Sequence, residues 1–191
     1  MTAVDKRAGK HYNGKKRAFS CARENDMTVV LREVKDEELG ELAVLSAKLW
    51  RAAYGELLGE KQIAYMLDKF QSEKAFRGQI SSGYRYYYIT ADGTVIGYTG
   101  VCPREGGEFF LSKLYLDPSA QGKGYGQAGL SAVADLAKKA GCDRVTLTVN
   151  KGNERAIRAY RRFGFTLIRE EKTDIGGGFF MDDFVMEYRL A

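Results

Sequence analysis

Leu114-Tyr115-Leu116-Asp117-Pro118-Ser119-Ala120-Gln121-Gly122-Lys123-Gly124-Tyr125-Gly126 is the stretch of this chain whose reading decides its fold. An apolar strand ends at Asp117-Pro118, because proline cannot donate to a ladder and favours a turn. Glycine then recurs at 122, 124 and 126, and a helix-forming run extends from Gln127 to Ala140. Strand, glycine loop and helix in that order build an anion site. Backbone without Cβ comes close to a ligand, and the free N–H groups of a helix start point at negative charge. Pyrophosphate suits such a cradle, so a large phosphorylated cofactor is implied. The pattern is GxGxG with no Lys-Ser/Thr after it, which sets dinucleotide and nucleoside-triphosphate sites aside.

Upstream, a strand is predicted at 28–33, then a helix capped by Asp36 with Leu39, Leu42, Leu45 and Leu49 on one face. A second helix carries Ile63, Met66, Leu67 and Phe70. A third, capped by Ser72, carries Phe76 and Ile80. The period then changes to that of strands. Tyr84–Thr90 and Thr94–Val101 flank the hairpin signal Asp92-Gly93, and Phe109–Leu116 follows. Strand alternation puts Tyr84, Tyr86 and Tyr88 on one face and Tyr87 on the other.

Downstream of the glycine loop, Gly141 ends the helix and Val145–Val149 is a strand. Asn153 opens a helix with Ala156, Ile157, Tyr160 and Phe163 on one side, closed by Gly164. Short strands are predicted at 165–169 and 184–190, joined by a loop through Gly176-Gly177-Gly178. An exposed last strand would offer an edge for a homodimer. The pattern is a single α+β domain over 27–191: a mixed, mostly antiparallel sheet flanked by helices, with an α-β-α-β-β C-terminal half.

Composition narrows the function classes. The net charge is +5, yet residues 1–26 hold seven basic and three acidic side chains, so the rest is nearly neutral. That basic leader has no periodicity and reads as disordered, or as sequence ahead of a start at Met27, rather than as a nucleic-acid arm. No nucleic acid or membrane partner is expected. No apolar run approaches the ~20 residues of a membrane span, and no secretory signal precedes the domain, so a cytoplasmic location is expected. His11 is the only histidine, and Cys21, Cys102 and Cys142 are far apart. Histidine triads, most zinc sites and a disulfide framework are thereby disfavoured, and no metal is expected.

Two motifs together resemble the GNAT superfamily of N-acetyltransferases. Leu114–Pro118 followed by Gln121-Gly122-Lys123-Gly124-Tyr125-Gly126 is similar to the family's Q/R-x-x-G-x-G/A loop. Asn153-x-x-Ala156-x-x-x-Tyr160-x-x-x-Gly164-Phe165 is similar to its helix and following strand beside the cofactor thiol. Tyr65–Phe70 and Phe179–Met186 resemble, more weakly, small-amine and polyamine acetyltransferases of the PaiA type.

The resemblance implies acetyl-CoA as co-substrate and transfer of its acetyl group to a primary amine in a ternary complex. A protein N-terminal or lysine acetyltransferase, and a non-catalytic acyl-CoA-binding module, are the alternatives. The strand at 111–116 would splay from its neighbour, so that the main chain of Leu114, Tyr115 and Leu116 meets the pantetheine arm and one N–H stabilises the oxyanion. Gln121, Gly122, Lys123, Gly124, Tyr125 and Gly126 would hold the pyrophosphate. Asn153 and Ala156 would adjoin the arm. Tyr160 would protonate the departing thiolate, and Glu108, just ahead of the strand, would be the general base. Each has a plainer reading as well: Asn153 as a helix cap, Tyr160 as core, Glu108 as a solvated turn residue. Trp50 and Tyr54 fall where the family's acceptor site is lined. Tyr84, Tyr86 and Tyr88 would be strand packing or an aromatic wall near the acceptor, and Asp182 and Asp183 could attract a cationic amine.

Overall fold

In the computed structural model, which describes residues 29–190, the strands form one seven-stranded sheet in the order β1-β2-β3-β4-β5-β7-β6. They are β1 (Val30–Glu33), β2 (Arg85–Ala91), β3 (Thr94–Pro103), β4 (Glu108–Leu116), β5 (Arg144–Asn150), β6 (Thr166–Gly176) and β7 (Phe179–Arg189). Among the described residues only β4 and β5 pair in parallel, across the crossover helix α4 (Tyr125–Lys139). The order α4, β5, α5 (Glu154–Phe163), β6, β7 matches the expected C-terminal half. The leader at 1–26 lies outside the described residues.

Helices cover both faces. On one face, α4 and α5 bury Leu130, Val133, Ala137 and Ile157 against Tyr87, Phe109, Leu111 and Leu147. On the other lie α1 (Leu39–Tyr54), α2 (Glu60–Gln71) and α3 (Glu73–Ser81). There Leu39, Leu42, Leu49 and Phe76 pack on Tyr86, Tyr88 and Tyr98, while Trp50, Tyr54, Ile63 and Met66 form a neighbouring cluster. The tyrosine alternation is as expected, but Tyr86 and Tyr88 serve this core and do not line the cavity described below, so they form no acceptor wall.

Three local expectations are corrected. Asp36 does not cap α1. A 3-10 turn at Asp36–Glu38 precedes the helix, and the Glu38 carboxylate reaches back to the Lys35 N–H at 2.9 Å. The segments 165–169 and 184–190 are parts of one long hairpin turning at Gly177-Gly178, both with positive φ. Most of β6 faces solvent and carries charge, so it shows none of the apolar alternation by which a strand is recognised. The last strand is not an edge: β7 lies between β5 and β6, and β6 is the edge, which removes the ground for a dimer through β7.

Two irregularities in β4 shape its surroundings. Gly100 pairs with Lys113 and Val101 with Leu111, so Ser112 is an extra residue, a β-bulge. The parallel pairing with β5 runs from Glu108↔Arg144 to Leu111↔Leu147 and stops there. Beyond Leu111 the two strands part, as the resemblance implied. β5 runs on to Asn150 against β7, and β4 runs on to Leu116 against β3.

Candidate active site

The wedge between β4 and β5 opens into a cavity of about 690 Å³, a volume suited to a cofactor. Leu114, Tyr115, Leu116, Gln121, Gly122, Gly126, Asn153, Ala156 and Tyr160 all line it, so two motifs about 30 residues apart in sequence share one wall. The end of α1, with Tyr54, closes the opposite side.

The direction of the β4 main chain follows from its partners. Asp117 N–H donates to Ile96 O of β3 at 2.8 Å, so the carbonyl of Leu116, across the same peptide, points away from β3. Gln121 Nε2 donates to that carbonyl at 3.0 Å. Strand alternation then turns the N–H and C=O of Leu114 into the wedge as well, where β5 no longer pairs with them. These are unspent main-chain groups facing a cavity, which a buried strand seldom leaves without partners.

At the mouth, Gly122 and Gly124 take φ of 76° and 89°, a left-handed conformation that glycine adopts without Cβ strain. Gly124 is the N-cap of α4, and its carbonyl accepts from Gln127 and Ala128. The five amides from Gly122 to Gly126 donate to no acceptor among the described residues, and the last of them start α4. Lys123, Gly124 and Tyr125 belong to this loop without lining the cavity wall. The arrangement suits a pyrophosphate, which would draw on several amides and the positive end of the helix at once.

Asn153 caps α5, its side-chain oxygen accepting from Ala156 N–H at 3.1 Å. Tyr160, two turns into the helix, packs its ring against Phe165 and turns toward the cavity. Burial, with the Tyr54 hydroxyl nearby, pushes its phenol well above the ordinary value, so it keeps its proton at neutral pH. Tyr54 stands 3.4 Å from the Tyr115 hydroxyl and is itself raised by burial.

Glu108 does not join the site. It lies at the paired start of β4, about 20 Å along the strand from Leu114, and its carboxylate accepts from Thr146 Oγ1 at 2.6 Å and from Arg104 at 3.1 Å. It lines no part of the cavity, so the general base must be sought elsewhere. Cys102 is buried on β3 and also absent from the cavity wall. Trp50 is buried behind Tyr54 and Tyr115.

Two polar residues gain weight from the structure. Asp183 on β7, opposite Asn150, is 7% exposed and lies outside the cavity wall, and its Oδ1 has no hydrogen-bond partner among the described residues. Burial, then the like charges of Glu171 and Asp182, raises its carboxyl to about 6, and its charge is felt by Tyr54. Lys113, buried within β4, is the other. The sequence did carry a signal for it, since a lysine at the register of Phe109, Leu111 and Tyr115 is anomalous on a core-facing strand.

Comparison with known proteins agrees with this geometry. Residues 47–165 match the model of the Acetyltransferase (GNAT) family. An uncharacterized N-acetyltransferase of Mycobacterium tuberculosis is 32% identical over 153 residues, covering 79% of this chain and 97% of that protein. The chain belongs to the GNAT acetyltransferase family and is an N-acetyltransferase. A spermine/spermidine N(1)-acetyltransferase of Bacillus subtilis is 34% identical over 82 residues, 39% of this chain and 54% of that protein. Among solved structures, the PaiA N-acetyltransferase of Thermoplasma acidophilum in complex with coenzyme A superimposes with a TM-score of 0.69 at 24% identity, covering 85% of this chain and 99% of that one. The spermidine N-acetyltransferase of Vibrio cholerae, in complex with coenzyme A and spermine, gives 0.64 at 16% identity, covering 85% and 96%.

Proposed function

We propose that the protein transfers the acetyl group of acetyl-CoA to a primary amine of a small cationic molecule, by direct attack within a ternary complex. The observation that carries this reading is the wedge. Unpaired main-chain groups of Leu114 face a cavity that meets the amide loop on one side and Tyr54 on the other.

In this reading the pyrophosphate rests on the amides of residues 122–126, and the pantetheine arm lies along β4 beside Asn153 and Ala156. The Leu114 N–H meets the carbonyl oxygen of the thioester and stabilises the negative charge that grows there as nitrogen attacks. Collapse of the tetrahedral intermediate breaks the C–S bond. Tyr160 then faces the leaving sulfur as a donor. Its raised pKa makes it a weaker acid than a free phenol, so much of its contribution is a hydrogen bond to the thiolate.

Asp183 supports a cationic acceptor. It does not line the cavity wall, but its charge is felt at Tyr54, which does, and a negative charge there favours a cationic acceptor. The polyamine enzymes among the relatives point the same way.

Thermal-shift titration with acetyl-CoA, followed by thiol-release assays on polyamines, other primary amines and peptides, tests the proposal. Turnover of a polyamine or related small amine is expected. Turnover of peptides alone would replace it with a protein acetyltransferase, and acetyl-CoA binding without turnover of any amine would overturn it.

A further inference from the structure

The bulge at Ser112 sets two consecutive side chains on the same side of β4 at the point where the strand leaves β5. Both Ser112 and Lys113 line the cavity, two and one residues before Leu114. Lys113 is 8% exposed and makes no ion pair among the described residues. Its Nζ lies 2.9 Å from Gln79 Oε1, 2.9 Å from the Tyr86 hydroxyl and 3.2 Å from Ser112 Oγ. Tyr86 gives its own proton to Gln79, which leaves its oxygen free to accept.

All three partners can accept from Nζ, but none carries the negative charge that a buried ammonium needs. In the neutral form two N–H bonds go to Gln79 and Tyr86, and the lone pair is free to accept from the Ser112 hydroxyl. A charged lysine in the same place would have only neutral partners. Facing it are Gln79 of α3, Tyr84 just ahead of β2, Tyr86 of β2 and Ser112 beside it, with Cys102 of β3 near Tyr86; none is a carboxylate.

We infer that Ser112 and Lys113 are the proton-accepting relay of the transfer reaction, in place of a glutamate. The inference rests on the proposed function. As the C–N bond forms, the acceptor nitrogen gives a proton to Ser112 Oγ, and the Ser112 hydroxyl proton passes to the lone pair of Lys113 Nζ. The electron pair of the C–S bond leaves with sulfur, which ends as the thiol. Lys113 later returns its proton to solvent, so one proton is lost from the amine and one is gained by sulfur. Ser112 is the catalytic residue of the pair, and Lys113 acts through it. Burial alone brings the Lys113 amine down to about 7, which suits a proton acceptor at neutral pH.

Two measurements on the full chain test the relay. Lysine Nζ titration by 15N NMR needs no turnover, and Lys113 should titrate near pH 7. A Lys113 that stays charged through pH 9 overturns the relay. In steady-state kinetics, Ser112→Ala and Lys113→Met should each lower kcat about 10- to 100-fold, with the KM for acetyl-CoA within about twofold. The limb of kcat that rises near pH 7 should vanish in both. A structural role alone would leave that limb in place. Ser112→Ala removes only a half-buried hydroxyl, so it remains decisive if Lys113→Met fails to fold. An unchanged limb in Ser112→Ala with wild-type kcat overturns the relay and leaves the proposed function standing. Acetyl-CoA binding with no turnover of any amine overturns the proposed function itself.

Discussion

The side-chain amide of Gln121 donates to the main-chain carbonyl of Leu116 at 3.0 Å. One hydrogen bond thus ties the first residue of the glycine loop to the last residue of β4, holding the proposed phosphate cradle at a fixed distance from the wedge. Gln121→Ala should raise the KM for acetyl-CoA about five- to tenfold, as expected for a positioning bond worth about 1 kcal/mol. Its kcat should change less. Steady-state kinetics with acetyl-CoA varied checks this.

Gly122 separates the ligand's needs from the fold's. A Cβ there would meet nothing within 4 Å, yet its φ is 76°. Gly122→Val should cost about 1–2 kcal/mol of stability from backbone strain. Its loss of coenzyme A affinity by calorimetry should exceed tenfold, because the side chain would stand over the amides. Equal, small losses of stability and affinity would mean that the loop does not cradle the cofactor.

Tyr160→Phe removes one hydroxyl and keeps the ring on Phe165. A fall in kcat of about 10- to 100-fold is expected, with the KM of both substrates and the melting temperature nearly unchanged. Full kcat from pH 6 to 9 would reduce Tyr160 to packing.

Asp183 and Lys113 give opposite pH signatures. The Asp183 carboxyl is raised from 3.8 to about 6 in the fold, so the native state holds the proton more tightly between those values. Stability from this group is present below pH 3.8 and lost as pH rises through 6. Asp183→Asn should therefore melt higher at pH 8, by an amount on the order of 1 kcal/mol, with no gain below pH 4. The same variant should raise the KM of a polyamine about tenfold or more.

For Lys113 the native value falls from 10.5 to about 7, so the unfolded chain binds more protons between those limits. Stability from this group rises with pH across that window. Below pH 7 the full penalty is felt, about 5 kcal/mol at most. Lys113→Met should recover part of it, and most visibly near pH 6. Denaturant midpoints at pH 6 and pH 10 check the sign.

Much of the site was legible because its parts are local. A glycine loop before a helix and an Asn cap with Tyr160 two turns on are patterns of short range, and the structure puts both in one wall. Glu108 misled for the opposite reason. Sequence proximity to the strand says nothing about which end of it meets the cavity, and Thr146 and Arg104 claim its carboxylate. Asp183 read only as a possible attractor of cations. Its weight comes from burial beside Asn150 and near Tyr54, which are distant in sequence. The long β6–β7 hairpin was half missed because a charged strand facing water shows no period.

By itself the sequence determined the order of elements, the glycine loop and the helix faces, since propensity, capping and apolar spacing act over a few residues. Only the tertiary structure decided where β4 parts from β5, that Ser112 is a bulge and that β7 lies inside the sheet. Strand register and divergence are set by long-range pairing, in which one inserted residue changes which side chains share a face. That is why the proposed donor cradle could be read from residues 114–126, while the groups proposed to meet the acceptor emerged only once the sheet was assembled.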